Sequence, residues 1–265
     1  MHKTILTKSL YSLRWQILGW SLAVFGIAFL TMSVFNALSG QGITDLVKQT
    51  PDAFKSLIGS TTDYSTIKGY IGQQVFGPNV VMFTIIMAIF LFIGIGSGRE
   101  DRGLTQTLLS FPVSRSRVYF AQWLAVMIVI AIVCLAIIPG IYAGLLVVDH
   151  SADWQRILLS VFACFLMNAA YGLVGYAVAM ATGARTLTIA AAAGYAVVSF
   201  VVSSLASAVD WLKWPDKFSI FHYYNNPQIM ANGLHGSHIA ILITVIVGLT
   251  IVGWLGFRRR DVRTS

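Results

Sequence analysis

Six stretches of the chain run about 20 residues or more with no acidic or basic side chain in their interior, long enough as helices to cross a bilayer core. They cover residues 15–38, 78–97, 119–148, 154–182, 186–209 and 237–257, with Arg156 at the mouth of the fourth. Nothing else in the sequence constrains the fold as strongly. In lipid every backbone N–H and C=O must be satisfied internally, so only helices and closed barrels span. A barrel would show alternating segments of about 10 residues, much shorter than these runs. The chain is 57% hydrophobic and 11% charged, against about 25% charged in soluble domains. The sequence therefore predicts an all-α membrane protein with six transmembrane helices. A soluble enzyme, a disordered chain and a disulfide-rich secreted scaffold are excluded.

Charge sets the orientation. With both termini cytoplasmic, the inner segments carry twelve Lys and Arg against Glu100, Asp101 and Asp261. The outer segments then hold six bases and seven acids. Basic residues are retained on the cytoplasmic side, so the expected topology is N-in and C-in. The net charge of +8 thus divides into a basic inside and a near-neutral outside, and is no signal for nucleic acid. Trp15, Trp123 and Trp254 fall near the inner boundary, and Trp154, Trp211 and Trp214 near the outer one. Indole rings prefer that headgroup level. The first apolar run exceeds the 7–15 residues of a signal peptide core, so it reads as an uncleaved anchor.

Residues for chemistry are scarce. No glycine is followed by lysine, so the chain forms no Walker A loop. Gly94, Gly96 and Gly98 end a span rather than follow a strand, and fit close helix packing and a loosened helix end. Cys134 and Cys164 lie inside different spans, where buried packing is expected and a disulfide is not. His235 and His238, spaced i, i+3, are too few for a metal site, so no metal and no catalytic residue is expected. Among span residues Asn36, Gln122, Asn168 and Tyr171 are polar. Asn168 and Tyr171 share a helix face, followed by Gly172 and Gly175. That pattern fits a hydrogen-bonded packing seam. It also fits the lining of a substrate path, with Asn36, Asn168 and Tyr171 as candidates, and the sequence leaves both open. Coupled secondary transporters keep ionisable residues at membrane depth. The absence of such residues points to an external energy source.

Two segments at the inner side are patterned. Residues 1–14 mix Lys3, Lys8 and Arg14 with Ile5, Leu6, Leu10 and Leu13, which predicts an amphipathic helix lying on the inner leaflet. In residues 98–118, Glu100 and Asp101 suit a helix N-terminus. Leu104, Leu108 and Leu109 follow at helical spacing. Phe111-Pro112 stops that helix and Ser114 caps the next one. A short helix held at the membrane surface offers its leucines to a groove on another protein.

This loop resembles the coupling region of ABC-2 type transporter permeases. The matching residues are Glu100, Asp101, Arg102, Gly103, Leu108, Leu109, Pro112, Val113, Ser114 and Arg115. Leu104 stands where the family usually has Thr, and Gln106 where an acid is common. The chain end Phe257-Arg258-Arg259-Arg260-Asp261-Val262 resembles the family's closing motif. The six-span layout and the N-terminal segment agree as well. The resemblance implies an ABC-2, type V exporter-like permease fold in a prokaryotic plasma membrane. It implies a dimer, with a second permease copy or a paralogue. It also implies docking on a separate ATPase subunit that binds ATP and Mg, with no cofactor on this chain. Glu100, Asp101, Arg102, Gly103, Leu108, Leu109, Pro112 and Arg115 would make the ATPase contact, supported by Lys8, Leu10 and Arg14 on the connecting helix. The implied function is export of a hydrophobic or amphipathic compound: an antibiotic, an antimicrobial peptide or a lipid-like molecule. A non-transporting scaffold or sensor is the alternative, with a secondary transporter behind it.

The outer segments are less typical. Residues 39–77 contain DAFKSLIG and STIKGYIGQQVFG, each readable as an amphipathic surface helix. Residues 210–236 are rich in aromatics. The family places short re-entrant helices there as an outer gate, and an aromatic belt explains the composition as well. Residues 258–265 form a basic tail.

Overall fold

The computed structural model describes residues 2–38, 66–100, 113–206, 209–224, 229–230 and 232–260. Helix α1 runs His2–Ser33 without a break. At 1.5 Å per residue it is about 48 Å long, well beyond a hydrocarbon core of about 30 Å. The expected separate helix over residues 1–14 is therefore the first part of α1 itself. No proline or capping signal interrupts the chain at Arg14-Trp15, and extending a helix costs less than nucleating a new one. After a turn at Val34, Phe35–Leu38 forms α2.

Helix α3, Ile67–Tyr70, is capped by Thr66, whose Oγ1 accepts from the Gly69 amide at 3.2 Å. It runs into a wide π-turn, Ile71–Val75. The sequence pattern suggests a surface helix here, and the structure corrects that. Tyr70, Ile71, Val75 and Phe76 are all buried. The π-turn's wider winding takes them off the single stripe a regular helix would give. Tyr70 Oη donates to the Thr31 carbonyl at 2.7 Å, and the Phe35 ring meets Tyr70 edge-on. At Gly77 a Cβ would lie 1.7 Å from the Gln73 carbonyl oxygen, so only glycine allows the chain to turn into α4, Pro78–Ile95. Proline at the first helical position costs no hydrogen bond. Gly96 breaks that helix, and α5, Ser97–Glu100, follows.

The third span is two helices, α6, Arg115–Leu135, and α7, Ile137–Val148, meeting at Ala136. Pro139 lacks the N–H that would bond to Leu135, which is a sufficient cause of the break. Helix α8, Trp154–Thr182, starts on the Asp153 side chain and ends at Gly183, whose φ of 68° suits glycine. Then come α9, Arg185–Leu205, the short α10, Lys213–Asp216, between two 3-10 turns, and α11, Gly236–Arg259.

Among the described residues six helical units are long and apolar enough to cross a membrane: α1, α3 with α4, α6 with α7, α8, α9 and α11. Helix α8 is the hub, packed by α4, α6, α9 and α11, while α1 lies along α6 and α7. Close approach depends on small residues, as in membrane bundles generally. Gly172 faces the Phe92 ring, Gly175 faces Ala192, Gly253 and Gly256 lie on Ala177 and Ala181, and Gly140 and Gly144 lie on Phe25 and Met32. The outward faces of α1, α9 and α11 expose residues such as Leu22, Val197 and Ile251. One end of the bundle gathers the start of α1, residues 96–100 and 113–117, the α8–α9 turn and the end of α11; it is the basic end. The other end carries the α3 region and residues 209–224 and 232–235.

Candidate functional site

At the basic end, the start of α6 is stapled to the finish of α11. Ser114 Oγ accepts from the Arg117 amide at 3.4 Å and caps α6. The Arg115 guanidinium reaches across and donates to the carbonyl of Phe257 at 3.5 Å and to that of Arg260. These are orphan carbonyls of a helix C-terminus, where a cation is electrostatically favoured. Trp254 Nε1 donates to Ser116 Oγ at 3.0 Å, and Tyr119 Oη donates to the Thr250 carbonyl at 2.8 Å. Tyr176 Oη then donates to the Tyr119 carbonyl at 3.1 Å, bringing α8 into the same cluster. Arg258 covers the Trp254 ring at 4.9 Å. The exit of the 98–118 loop is thus rigidly fixed to two other spans.

Its entrance is fixed too. Gly96, Ser97 and Gly98 are buried. A Cβ on Gly96 would meet the Ala179 Cβ at 2.8 Å. The expected reading of the glycine string, close packing plus a loosened helix end, holds at Gly96. Glu100 is the last residue of α5. Asp101, Arg102, Gly103, Leu108, Leu109 and Pro112 lie outside the described residues, as do DAFKSLIG, Asp261 and Val262. On α1, Lys8 and Arg14 are exposed and Leu10 packs against the core. Arg14 lies 3.9 Å from the Tyr11 ring centroid.

The mid-span candidates separate. Asn36 is exposed on α2. Asn168 and Tyr171 are fully buried on α8. Asn168 Nδ2 donates to Thr84 Oγ1 at 3.1 Å and approaches the sulfurs of Cys164 at 3.3 Å and Cys134 at 3.6 Å. Tyr171 Oη lies 2.6 Å from Ser199 Oγ. Both side chains join helices, which favours the packing seam over an open path. The two cysteines, expected as unrelated packing residues, meet at one amide.

Sequence reasoning passed over a polar ladder at the far end. Ser199 Oγ lies 2.6 Å from Ser219 Oγ, which lies 2.8 Å from Ser203 Oγ. Ser203 Oγ donates to Asp216 Oδ1, and Asp216 Oδ2 lies 2.5 Å from His222 Nδ1. Beyond it the His238 ring stands 6.3 Å from His222 and 5.6 Å from His235. The visible clue is that Ser199 and Ser203 are four apart, hence on one helix face. Lys213, 2.6 Å from Asp210, holds that exposed carboxyl below its usual range. Among the described residues no group of three or more His, Cys, Asp or Glu side chains is placed to hold a metal ion.

A protein-family model, that of the C-terminal domain of the multidrug efflux system permease Rv1217c, matches residues 8–258. No curated protein matches the chain significantly.

Proposed function

We propose that this chain, which belongs to the family of the Rv1217c multidrug efflux permease C-terminal domain, is the membrane subunit of an ATP-driven exporter of the ABC-2 type. It is a multi-pass membrane protein with a transporter permease role. The finer reading supplies the energy source. The spans contain no acidic residue in their interiors, so no ion-coupling group sits at membrane depth. Energy then comes from a partner, a separate ATPase subunit carrying ATP and Mg.

One observation carries this reading most: both ends of the 98–118 loop are anchored in the bundle. Gly96 is wedged on α8, and Arg115 is clasped to the end of α11. A loop held this way transmits a push at its tip to three spans at once. Glu100, Asp101, Arg102, Gly103, Leu108, Leu109 and Pro112 receive the ATPase, supported by Lys8, Leu10 and Arg14 of α1. The positive-inside rule places this basic end in the cytoplasm, with both ends of the chain on that side. Two permease chains, identical or paralogous, enclose the pathway. Segment 209–224 forms the outer gate, closed by the polar ladder. The cargo is hydrophobic or amphipathic and enters from the bilayer, in keeping with a seam that offers few polar contacts.

The test is reconstitution in lipid nanodiscs with candidate ABC ATPase subunits from the same genome, beginning with any encoded in neighbouring reading frames. Wild type is expected to stimulate ATP hydrolysis on adding a hydrophobic efflux substrate. Glu100→Arg is expected to insert normally, but to break the link between hydrolysis and transport. Normal coupling in Glu100→Arg sinks the contact assignment. Failure of any ATPase to associate favours the non-transporting scaffold.

A further inference from the structure

We infer that the outward face of α1 between Lys8 and Leu22 binds one anionic phospholipid, with its phosphate on the Arg14 guanidinium and an acyl chain along Leu18 and Leu22. Lys8, Tyr11, Trp15, Leu18 and Leu22 follow one another at alternating steps of three and four residues, so they form one stripe on the helix. All five are exposed, Trp15 to 72% and Leu22 to 68%. Leu13, Val24 and Ala28, on the opposite side, are buried where α1 lies along α6 and α7. Beside the stripe, Arg14 Cζ lies over the Tyr11 ring at 3.9 Å and 5.7 Å from the Trp15 ring centroid. Cation–π contacts place a guanidinium without consuming its N–H donors. Among the described residues no acceptor takes those N–H groups, and no carboxylate pairs with Lys8 or Arg14. The first acidic residue in the sequence is Asp45, beyond both α1 and α2.

The order of side chains selects the ligand. From the basic end inwards, the stripe carries a base, then two aromatic rings with a guanidinium beside them, then two leucines. A phospholipid presents the matching order of charged headgroup, interface and hydrocarbon. Arginine suits the phosphate, since its planar fork takes two oxygens at once. Lys8 stands about 9 Å further out along the helix than Arg14, so it meets the outer part of the headgroup. That favours an anionic lipid over a zwitterionic one, whose own cation would face Lys8. Each base near an anionic surface is worth about fivefold in association. A second copy of the chain fits this face less well. Laying the stripe on itself in parallel brings Lys8 to Lys8 and Arg14 to Arg14, with no acid on α1 to separate them.

The inference does not rest on the exporter assignment. Lys8 and Arg14 also support the proposed ATPase contact, but the test uses no ATPase, so the two assignments can fail separately. The full chain is reconstituted in phosphatidylcholine vesicles holding a minor fraction of phosphatidylglycerol, with bromine on the acyl chains of one lipid or the other. Bromine quenches a tryptophan that it touches, and the difference between wild type and Trp15→Phe isolates Trp15. Per molecule, phosphatidylglycerol should quench Trp15 at least about fivefold more effectively than phosphatidylcholine at low ionic strength. Arg14→Gln should lose most of that preference. Arg14→Lys should keep only part of it, because the charge remains but the fork and its stacking do not. Equal quenching by the two lipids in wild type, or an unchanged preference in Arg14→Gln, overturns the inference. Quenching of Trp15 by neither lipid also overturns it, and shows that protein covers the stripe. If a variant fails to insert, phosphatidylglycerol with a photoreactive acyl chain is crosslinked to wild type. Label on residues 8–22 supports the site, and label confined to other segments overturns it.

Discussion

Ser199 Oγ stands 2.6 Å from Tyr171 Oη, and through this contact the outer segment is hydrogen-bonded to the buried centre of α8. From Ser199 the chain of contacts continues to Ser219, Ser203, Asp216 and His222. Ser219 is the node. Its hydroxyl also donates to the Ser199 carbonyl at 3.1 Å and accepts from the Phe221 amide at 3.1 Å. Ser219→Ala therefore strands several partners at once and should cost about 1–3 kcal/mol. Tyr171→Phe removes one end of the ladder and should cost nearer ~0.6 kcal/mol, typical of a hydrogen bond inside a membrane protein. Thermal unfolding in nanodiscs ranks the two. Hydrogen exchange over residues 209–224 should rise in Ser219→Ala and barely change in Tyr171→Phe. The reverse order would mean that the ladder does not hold this segment.

The second prediction concerns helix approach. At Gly140 a Cβ would come 2.7 Å from the Phe25 carbonyl oxygen and 2.9 Å from the Ala28 Cβ. Backbone cannot swing aside as a flexible side chain can. Gly140→Val should thus force α7 off α1 and cost about 1–3 kcal/mol or more, as overpacking does. A Cβ on Gly194, in the middle of α9, would have nothing within 4 Å. Gly194→Ala should instead be neutral or stabilise by up to about 1 kcal/mol, through helix propensity alone. Equal losses in the two variants would show that propensity, not contact, governs both.

Much of this fold is legible in the sequence because a bilayer demands long apolar helices. The fourth span, 154–182, agrees with α8 to the residue, since Asp153 caps it and Gly183 stops it. The break at Ala136 also has a local cause in Pro139. What escaped the pattern is tertiary. The residues of STIKGYIGQQVFG are polar and apolar enough to suit a surface helix, and only the π-turn and the contact of Tyr70 with Thr31 bury them. The extension of α1 through Arg14 also escaped, because a change from basic to apolar composition marks a membrane boundary and not a helix end. The meeting of Cys134 with Cys164 depends on how α6 and α8 rotate against each other, and the spacing of either helix alone does not fix that rotation.

Arg115 tests the clasp at the basic end. Its guanidinium reaches two carbonyls at the end of α11, a geometry that Lys cannot reproduce with one point charge. Arg115→Leu should release that helix end, raising hydrogen exchange over residues 254–260 and loosening the Trp254 contact with Ser116. Tryptophan fluorescence and exchange mass spectrometry read these changes without any partner present. Arg115→Lys should recover only part of the protection. With the ATPase added, Arg115→Leu should leave hydrolysis intact and lower the transport it drives. Full exchange protection in Arg115→Leu would mean that the aromatic contacts alone hold α11.

Pro139 sets two effects against each other. Removing proline from a helix interior ordinarily gains up to about 3 kcal/mol, because the missing hydrogen bond can form. Here Gly140 and Gly144, just beyond the break at Ala136, seat on Phe25 and Met32 of α1. A straight α6–α7 helix would carry that seat away from α1. Seat loss involves several close-packed groups, and overpacking or voids at such sites cost comparable amounts. The break therefore positions α7, and Pro139→Ala should yield a protein no more stable than wild type. The distance between spin labels at Arg117 and Leu146, both exposed, should lengthen. A variant that is clearly more stable with an unchanged label distance would show that the packing on α1, not the proline, bends the span.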